Sequence, residues 1–442
     1  MTITWRAVAA MALGVVPAIL FPVPLTVLVW SLLVVAACVL DAALAASPRQ
    51  LAVRRDVPGS VRVHQPATST LTLTHTGRRR LRAVVRDAWP PSALALGDRS
   101  TVPLLGVLTP RSRVELAPGE GVRVRTAVRA SRRGDLVAPF VAIRTVGPLG
   151  LAGRQSRVPL VGRLRVLPEF ASRRHLPSRL ARLRELDGRA AVQVRASGTE
   201  FDSLREYVDG DDVRSIDWRA TARRGDVVVR TWRPERDRRV MLVLDTGRTS
   251  AVRVLDAPRI EASIEAALLL AALAGRAGDR VELLAYDRRV RTRVAGANGA
   301  GLMPAMAEAL AGVQPALVET DWPGAAAQVR QRLSQRALVV LLTAVDPAVA
   351  EAGLLDVVAR LSERHQVVVA SVADPELALL RTGRDDAGAV FDAAAAEREG
   401  LEHAAVAMRL RRRGVEVVEA LPAELAPRLA DAYLALKAAG RL

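Results

Sequence analysis

Glu200, Glu206, Asp209, Asp211, Asp212 and Asp217 fall within 18 residues. Carboxylates packed this closely serve general acid–base catalysis or hold a hard divalent cation. The spacing departs from an EF-hand loop, which sets its ligands at alternate positions. Arg205, Arg214, Arg219 and Arg223 are threaded through the same stretch, and each offers a carboxylate a counter-ion. Local structure claims several of the acids as well. Asp209-Gly210 makes a turn, and Asp211 or Asp212 caps a short helix on which Val213, Ile216 and Ala220 share a face. Arg214 and Asp217 pair along that helix, Gly225 ends it, and Val227–Trp232 follows as a strand. We read the stretch as a capped, salt-bridged motif with no catalytic residue. A metal-dependent hydrolase is the rival reading.

Residue type excludes other chemistries. His64, His75, His175, His365 and His403 lie far apart, and none forms an H-E-x-x-H pair. Cys38 is the one cysteine, so there is neither an intramolecular disulfide nor a cysteine-rich zinc module. Lys437 is the one lysine, which leaves no lysine for a Walker A loop.

The elements that position the acidic motif start from an apolar segment. No charge occurs from Ala7 to Leu40, a run of 34 residues. A single helix of that length would rise about 51 Å, beyond a hydrocarbon core of about 30 Å. Phe21-Pro22-Val23-Pro24 breaks it. A transmembrane helical hairpin is expected within residues 1–48, with arms Trp5–Leu20 and Leu25–Ala43. A cleaved signal peptide is the alternative, but its apolar region is shorter, about 7–15 residues.

Charge then assigns a side. The net charge is +18, and residues 51–170 hold most of the excess, with 21 Arg against 7 acids. The positive-inside tendency places the rest of the chain in the cytoplasm, at the inner membrane. Arginines next to a membrane meet anionic lipid at about 1 kcal/mol each. No zinc-finger or RNA-recognition signature accompanies them, so an envelope-associated nucleic-acid binder is only an alternative.

The 442 residues suggest about three domains. With 3% aromatic residues, the core must be built from Ala, Val and Leu. Residues 49–170 alternate with period two, as in Val61-Arg62-Val63, Ser69–Thr74, Gly121–Val128 and Leu164–Leu167. That pattern predicts a small β-sandwich-like domain. Residues 171–239 form a connector carrying the acidic motif. From 240 to 442, apolar strands at Val240–Leu244, Val281–Tyr286, Ala337–Leu342, Gln366–Ser371 and Val415–Leu421 alternate with helical stretches. This predicts a doubly wound, mostly parallel sheet covered on both faces. Ligands gather at the carboxyl ends of such strands, where Asp245 stands.

The order G-x-E-F, L-R-x-Y, G-D-D, R-x-I-D-W, A-T-A-R across residues 198–223 resembles the signature of the domain of unknown function 58 family. Arg132-Arg133-Gly134-Asp135, Gly147-Pro148-Leu149-Gly150-Leu151 and Val166-Leu167-Pro168 resemble further family elements, with Gly147 where Asp is usual. The resemblance implies a carboxy-terminal von Willebrand factor A-like domain, whose metal-ion-dependent adhesion site reads D-x-S-x-S, then Thr, then Asp. Asp245, Thr249 and Thr320 match that pattern. Gly247 replaces a hydroxyl ligand, and Ala344 stands where the later Asp is expected, with Asp346 two residues late. The site is therefore a degenerate candidate for Mg²⁺, and Arg248 is an alternative partner for Asp245. The resemblance further implies a non-enzymatic, membrane-anchored partner of a MoxR-type AAA+ ATPase. Its interaction motif would comprise Glu200, Arg205, Tyr207, Asp211, Asp212, Arg214, Asp217, Trp218 and Arg223.

Overall fold

The computed structural model describes residues 2–93, 111–193, 200–209, 211–233 and 238–442. Gly198, Thr199 and Gly210 of the signature lie outside them. The chain divides into two compact units, Met1–Glu169 and Phe170–Leu442, so residues 171–239 belong to the second unit.

The first unit opens with helices α1 (Trp5–Ala12), α2 (Val15–Leu20) and α3 (Pro24–Leu44). Pro24 starts α3, where its missing N–H removes no helix bond. The Trp30 indole donates to the Ala10 carbonyl at 3.1 Å, which folds α1 back onto α3. Gly14 permits the approach, since a Cβ there would meet the Trp30 ring at 2.3 Å. At 1.5 Å per residue α3 rises about 32 Å. Among the described residues it is the one helix long and apolar enough to cross a membrane; Trp5–Leu20 is shorter and broken. Of the two expected arms, only the second reaches spanning length. Leu28, Leu32 and Leu33 each expose more than half their surface, which is unfavourable in water.

Among the described residues of the first unit there are nine strands, β1 (Thr2–Ile3) and, in the stretch where alternation predicts a pleat, β2 (Leu51–Asp56), β3 (Ser60–Arg62), β4 (Pro66–His75), β5 (Leu81–Asp87), β6 (Arg111–Leu116), β7 (Gly121–Arg129), β8 (Gly134–Val146) and β9 (Ala152–Leu167). One sheet runs β1-β9-β8-β5-β6 with β3 beside β9, and the other runs β2-β4-β7. In β7, Val124, Thr126 and Val128 are buried while Arg123, Arg125 and Arg129 face out. Leu71 and Leu73 of one sheet share a core with Val85 and Ile143 of the other. Arg55 of β2 and Asp87 of β5 form a buried ion pair between the sheets. Asp87 also accepts from Ser69 Oγ at 2.7 Å and Trp89 Nε1 at 2.9 Å.

Asp41, near the end of α3, is fully buried. Its carboxylate accepts the backbone N–H groups of Leu149 (2.8 Å) and Leu151 (2.7 Å) from the β8–β9 loop and of Ala152 (2.8 Å) at the start of β9. The family-like segment Gly147–Leu151 is thus a cradle for the foot of the apolar helix. Gly147 is required there, because a Cβ would lie 2.2 Å from Asp41 Oδ1.

The second unit contains α4 (Leu176–Gln193), then a hairpin of β10 (Glu200–Glu206) and β11 (Val228–Arg233) enclosing α5 (Trp218–Arg224). The main sheet uses β12 (Arg239–Asp245), preceding a small hairpin, β13 (Arg253–Val254) and β14 (Ala257–Pro258). It continues with β15 (Arg280–Tyr286), β16 (Val290–Val294), β17 (Leu338–Leu342), β18 (Gln366–Val372) and β19 (Glu416–Ala420). Its order is β16-β15-β12-β17-β18-β19. All neighbours are parallel except β15 and β16; that antiparallel edge strand was not anticipated. The helices are α6 (Arg259–Arg276), α7 (Leu302–Ala311), α8 (Trp322–Arg330), the single turn α9 (Pro347–Val349), α10 (Leu355–Ser362), α11 (Pro375–Leu380), α12 (Ala387–Arg412) and α13 (Pro422–Ala438). Val240, Leu242 and Leu244 of β12 pack with α6 and α13, while Met241 and Val243 pack with α8, α10 and α12. Burial on both faces explains why β12 reads as an unbroken apolar run. The order reverses at β12, which opens a crevice beyond its carboxyl end.

Candidate functional site

That crevice is built on Asp245, the last residue of β12, which is 2% exposed. Its Oδ1 accepts Gly247 N–H at 2.8 Å and Thr320 Oγ1 at 2.5 Å. Its Oδ2 accepts Thr343 Oγ1 at 2.7 Å and Thr249 Oγ1 at 3.2 Å. Four donors fill the four acceptor positions of a carboxylate. The shallow cleft beside it is lined among others by Thr249, Glu319, Thr320, Trp322 and Val349. Arg248 pairs with Glu319 at 3.2 Å on an exposed surface, so the alternative pairing of Arg248 with Asp245 is not the one observed. Thr320 sits ahead of α8, which Asp321 caps by accepting Gly324 N–H at 3.0 Å.

The donor set does not fit a divalent ion. Such an ion wants several oxygens and more than one negative charge. Among the described residues no group of three His, Cys, Asp or Glu is placed to hold a metal. A side chain at 247 would meet Thr320 Oγ1 at 2.2 Å, so the hydroxyl of Thr320 fills the space of the missing ligand. Ala344 is buried at the position expected for a second carboxylate. Asp346 instead caps α9, accepting Val349 N–H at 2.8 Å. Asp287 is bound to Thr246 (3.0 Å) and to Arg291. Burial pushes the Asp287 carboxyl up, but Arg291, the Arg288 amide and Thr246 outweigh it and hold it below the usual value.

The signature residues assemble elsewhere in the second unit, as a braced hairpin. Arg205 grips Asp211 with both terminal nitrogens, at 2.8 and 2.6 Å, and this hydrogen bonding raises the guanidinium above its ordinary value. Asp211 also accepts Val208 N–H at 3.0 Å. Asp212 accepts Arg214 N–H at 3.0 Å. Asp217 caps α5 through the Arg219 and Ala220 amides, both at 3.1 Å, and takes Arg230 Nε at 2.8 Å. Those bonds, the Ala220 amide first and Arg230 next, hold its carboxyl below the usual range. The expected Arg214–Asp217 pair is replaced by Arg230–Asp217, because β11 returns alongside α5. Tyr207 N–H donates to the Val227 carbonyl at 2.8 Å. The side chain of Glu200 lies outside those described. The exposed side chains of the hairpin include Trp218, 66% exposed, with Val213, Arg214, Arg219 and Arg223.

Thr343 and Arg259 escaped the sequence reading. Thr343 directly follows β17, the parallel neighbour of β12, and that adjacency was the available signal. Arg259 opens α6 and donates to the Thr249 carbonyl at 3.4 Å, a contact no spacing rule announces.

Residues 203–414 match a family described as "Protein of unknown function DUF58", so the chain carries a domain of that family. No curated protein matches the chain. Among solved structures, Escherichia coli alpha-2-macroglobulin is 18% identical over 27% of this chain and 7% of that one, with a TM-score of 0.20. A human seminal-plasma complex of zinc 2-glycoprotein and prolactin-inducible protein gives 13% identity over 26% of this chain and 92% of that one, with a TM-score of 0.18. The PapD-like domain of human CEP192 gives 15%, 27% and 87%, with a TM-score of 0.18.

Proposed function

We propose that this DUF58-domain chain is a non-enzymatic adaptor, held at the inner face of the cytoplasmic membrane and docking a MoxR-type AAA+ ATPase for protein assembly or remodelling. In this reading α1–α3 form a membrane-embedded hairpin, the two sheets of the first unit are a β-sandwich spacer, and the main sheet of the second is von Willebrand factor A-like. The observation that carries the proposal is how the signature's groups are used. Asp211, Asp212 and Asp217 each accept hydrogen bonds from groups within the hairpin, which gives these three acids a structural use. Trp218 and its neighbouring arginines have no such internal use and face outward. Tryptophan and arginine are the side chains most enriched at the centres of protein interfaces. The absence of a Walker A lysine fits an ATPase supplied in trans.

The test is co-purification of the full chain with its cognate ATPase from detergent extract, comparing wild type with Trp218→Ala and Arg223→Ala. Loss of association in variants that retain the wild-type fold supports the reading. Undiminished association in both refutes the docking face. A reporter fused after Leu442 that is active only outside the cell refutes the orientation.

A further inference from the structure

Both arms of the amino-terminal hairpin are tied to one loop. Thr4, just ahead of α1, donates its N–H to the Leu151 carbonyl at 2.9 Å and its hydroxyl to the Gly150 carbonyl at 2.6 Å. Asp41, near the end of α3, accepts the Leu149 and Leu151 amides of the same loop. Arg154 donates to the Ala42 carbonyl at 2.9 Å. These bonds fix a polar foot, and Trp5 and Arg6 are exposed beside it. Tryptophan and arginine are side chains that settle at a membrane–water boundary.

The opposite end of the hairpin carries no such anchor. Phe21-Pro22-Val23-Pro24 is flanked by Ile19, Leu20 and Leu25, and all seven residues are exposed. Turns that meet water draw on Gly, Asn, Asp and Ser, none of which occurs from Val15 to Trp30. The backbone of the tip also asks for little water. Pro22 and Pro24 bring no N–H. The N–H groups of Phe21, Val23 and Thr26 go to the carbonyls of Pro17, Phe21 and Val23 at 2.9, 2.7 and 3.0 Å. Hydrocarbon demands that kind of internal satisfaction. Length agrees, because the cradle takes up the last turn of α3. At helical rise, Trp5–Leu20 and Pro24–Leu40 extend about 24 and 26 Å, against a hydrocarbon core of about 30 Å.

We infer that the hairpin enters the bilayer from one side and ends inside it, with the tip at Phe21–Pro24 surrounded by acyl chains and held away from the far aqueous phase. This deepens the reading of α1–α3 as membrane-embedded and rests on it. An anchor of this kind holds the first unit against a single leaflet, because its foot is polar and its tip is not.

The experiment reconstitutes the full chain into phosphatidylcholine–phosphatidylglycerol vesicles, in a Cys38→Ala background. A nitroxide is attached at Phe21→Cys, at Val23→Cys or, as a reference in water, at Leu317→Cys, a residue 84% exposed in the wild type. Power saturation compares collisions with oxygen, which concentrates in hydrocarbon, and with a water-soluble nickel chelate loaded on both sides of the membrane. At both tip positions chelate collisions should fall at least about tenfold below the reference while oxygen collisions rise. A smaller fall at either position, in protein that floats with the vesicles, overturns one-sided insertion and leaves the membrane reading standing. Protein that fails to float with the vesicles overturns the membrane reading and the insertion together. Either tip variant decides alone if the other does not fold.

Discussion

Asp41→Asn replaces one carboxylate oxygen with an amide nitrogen at the foot of α3 and leaves the side-chain shape intact. The carboxylate accepts three backbone N–H groups, one on Oδ1 and two on Oδ2. Asparagine keeps one acceptor oxygen, which suits Leu151 and Ala152. Its NH₂ group then faces the Leu149 N–H, donor against donor. A lost hydrogen bond to a charged group costs about 1.5–3 kcal/mol, and the two surviving bonds lose their charge assistance. Against this, a negative charge in the last turn of a helix opposes the helix dipole by about 0.3–1 kcal/mol, and that penalty is relieved. The net loss is about 1–3 kcal/mol. For a unit of this size it lowers the melting temperature by roughly 2–4 °C per kcal/mol. The assay is thermal unfolding of the full chain in detergent, with limited proteolysis of the β8–β9 loop as a second readout. Gly147→Ala provides a steric control, since its Cβ would press on both Asp41 Oδ1 and the Asp41 carbonyl. A midpoint unchanged within about 1 °C in Asp41→Asn, with an unaltered cleavage pattern, refutes the cradle as an energetic contact.

Arg55→Met leaves Asp87 buried with its charge uncompensated, and denaturant unfolding should show a loss of about 3–5 kcal/mol. The double variant Arg55→Met/Asp87→Leu should recover part of that loss, and a double that is simply additive argues against pairing. His365 is buried with Nδ1 unpartnered, and burial, assisted by Arg364, lowers it from its ordinary 6.5. The unfolded chain therefore takes up the proton first as pH falls through 6.5. Stability present above that value declines by at most about 1.4 kcal/mol per pH unit, and His365→Gln should flatten that slope. Arg205→Lys loses the two-pronged grip on Asp211. Hydrogen exchange at the Val208 amide, which shares Asp211, should accelerate while amides of β12 stay protected.

Much of this arrangement was legible because the cores obey simple periods. The runs at Val240–Leu244 and Gln366–Ser371 announce strands buried on both faces, and the alternation in Gly121–Val128 announces one buried face. Capping by Asp212 was legible for the same local reason, but the single helix expected to carry Val213, Ile216 and Ala220 is broken at Ile216, so that Asp217 caps α5 instead of lying within a helix. Contacts made by sheet order or by loop return were not legible. Arg230 reaches Asp217 only because β11 pairs with β10. Thr343 reaches Asp245, 98 residues away in the chain, only because β17 lies beside β12 in the parallel register that brings both strand ends together. Asp41 read as the end of an apolar run, and its partners lie more than a hundred residues away.

The acids and Trp218 differ in what their loss should report, and that difference separates frame from docking surface. Asp211 and Asp217 each hold backbone amides and a guanidinium, so replacing either changes the shape of the hairpin along with any surface it presents. Lost binding in those variants is ambiguous. Trp218 makes no such bonds, and truncating an exposed side chain usually moves stability by less than about 0.5 kcal/mol. A docking residue of its size, buried against a partner, costs at least about 2 kcal/mol on truncation, a loss of roughly thirtyfold in affinity. Trp218→Ala is thus expected to leave the melting temperature unchanged while weakening ATPase capture by that order. Equal loss of stability and capture would move Trp218 from the interface into the frame.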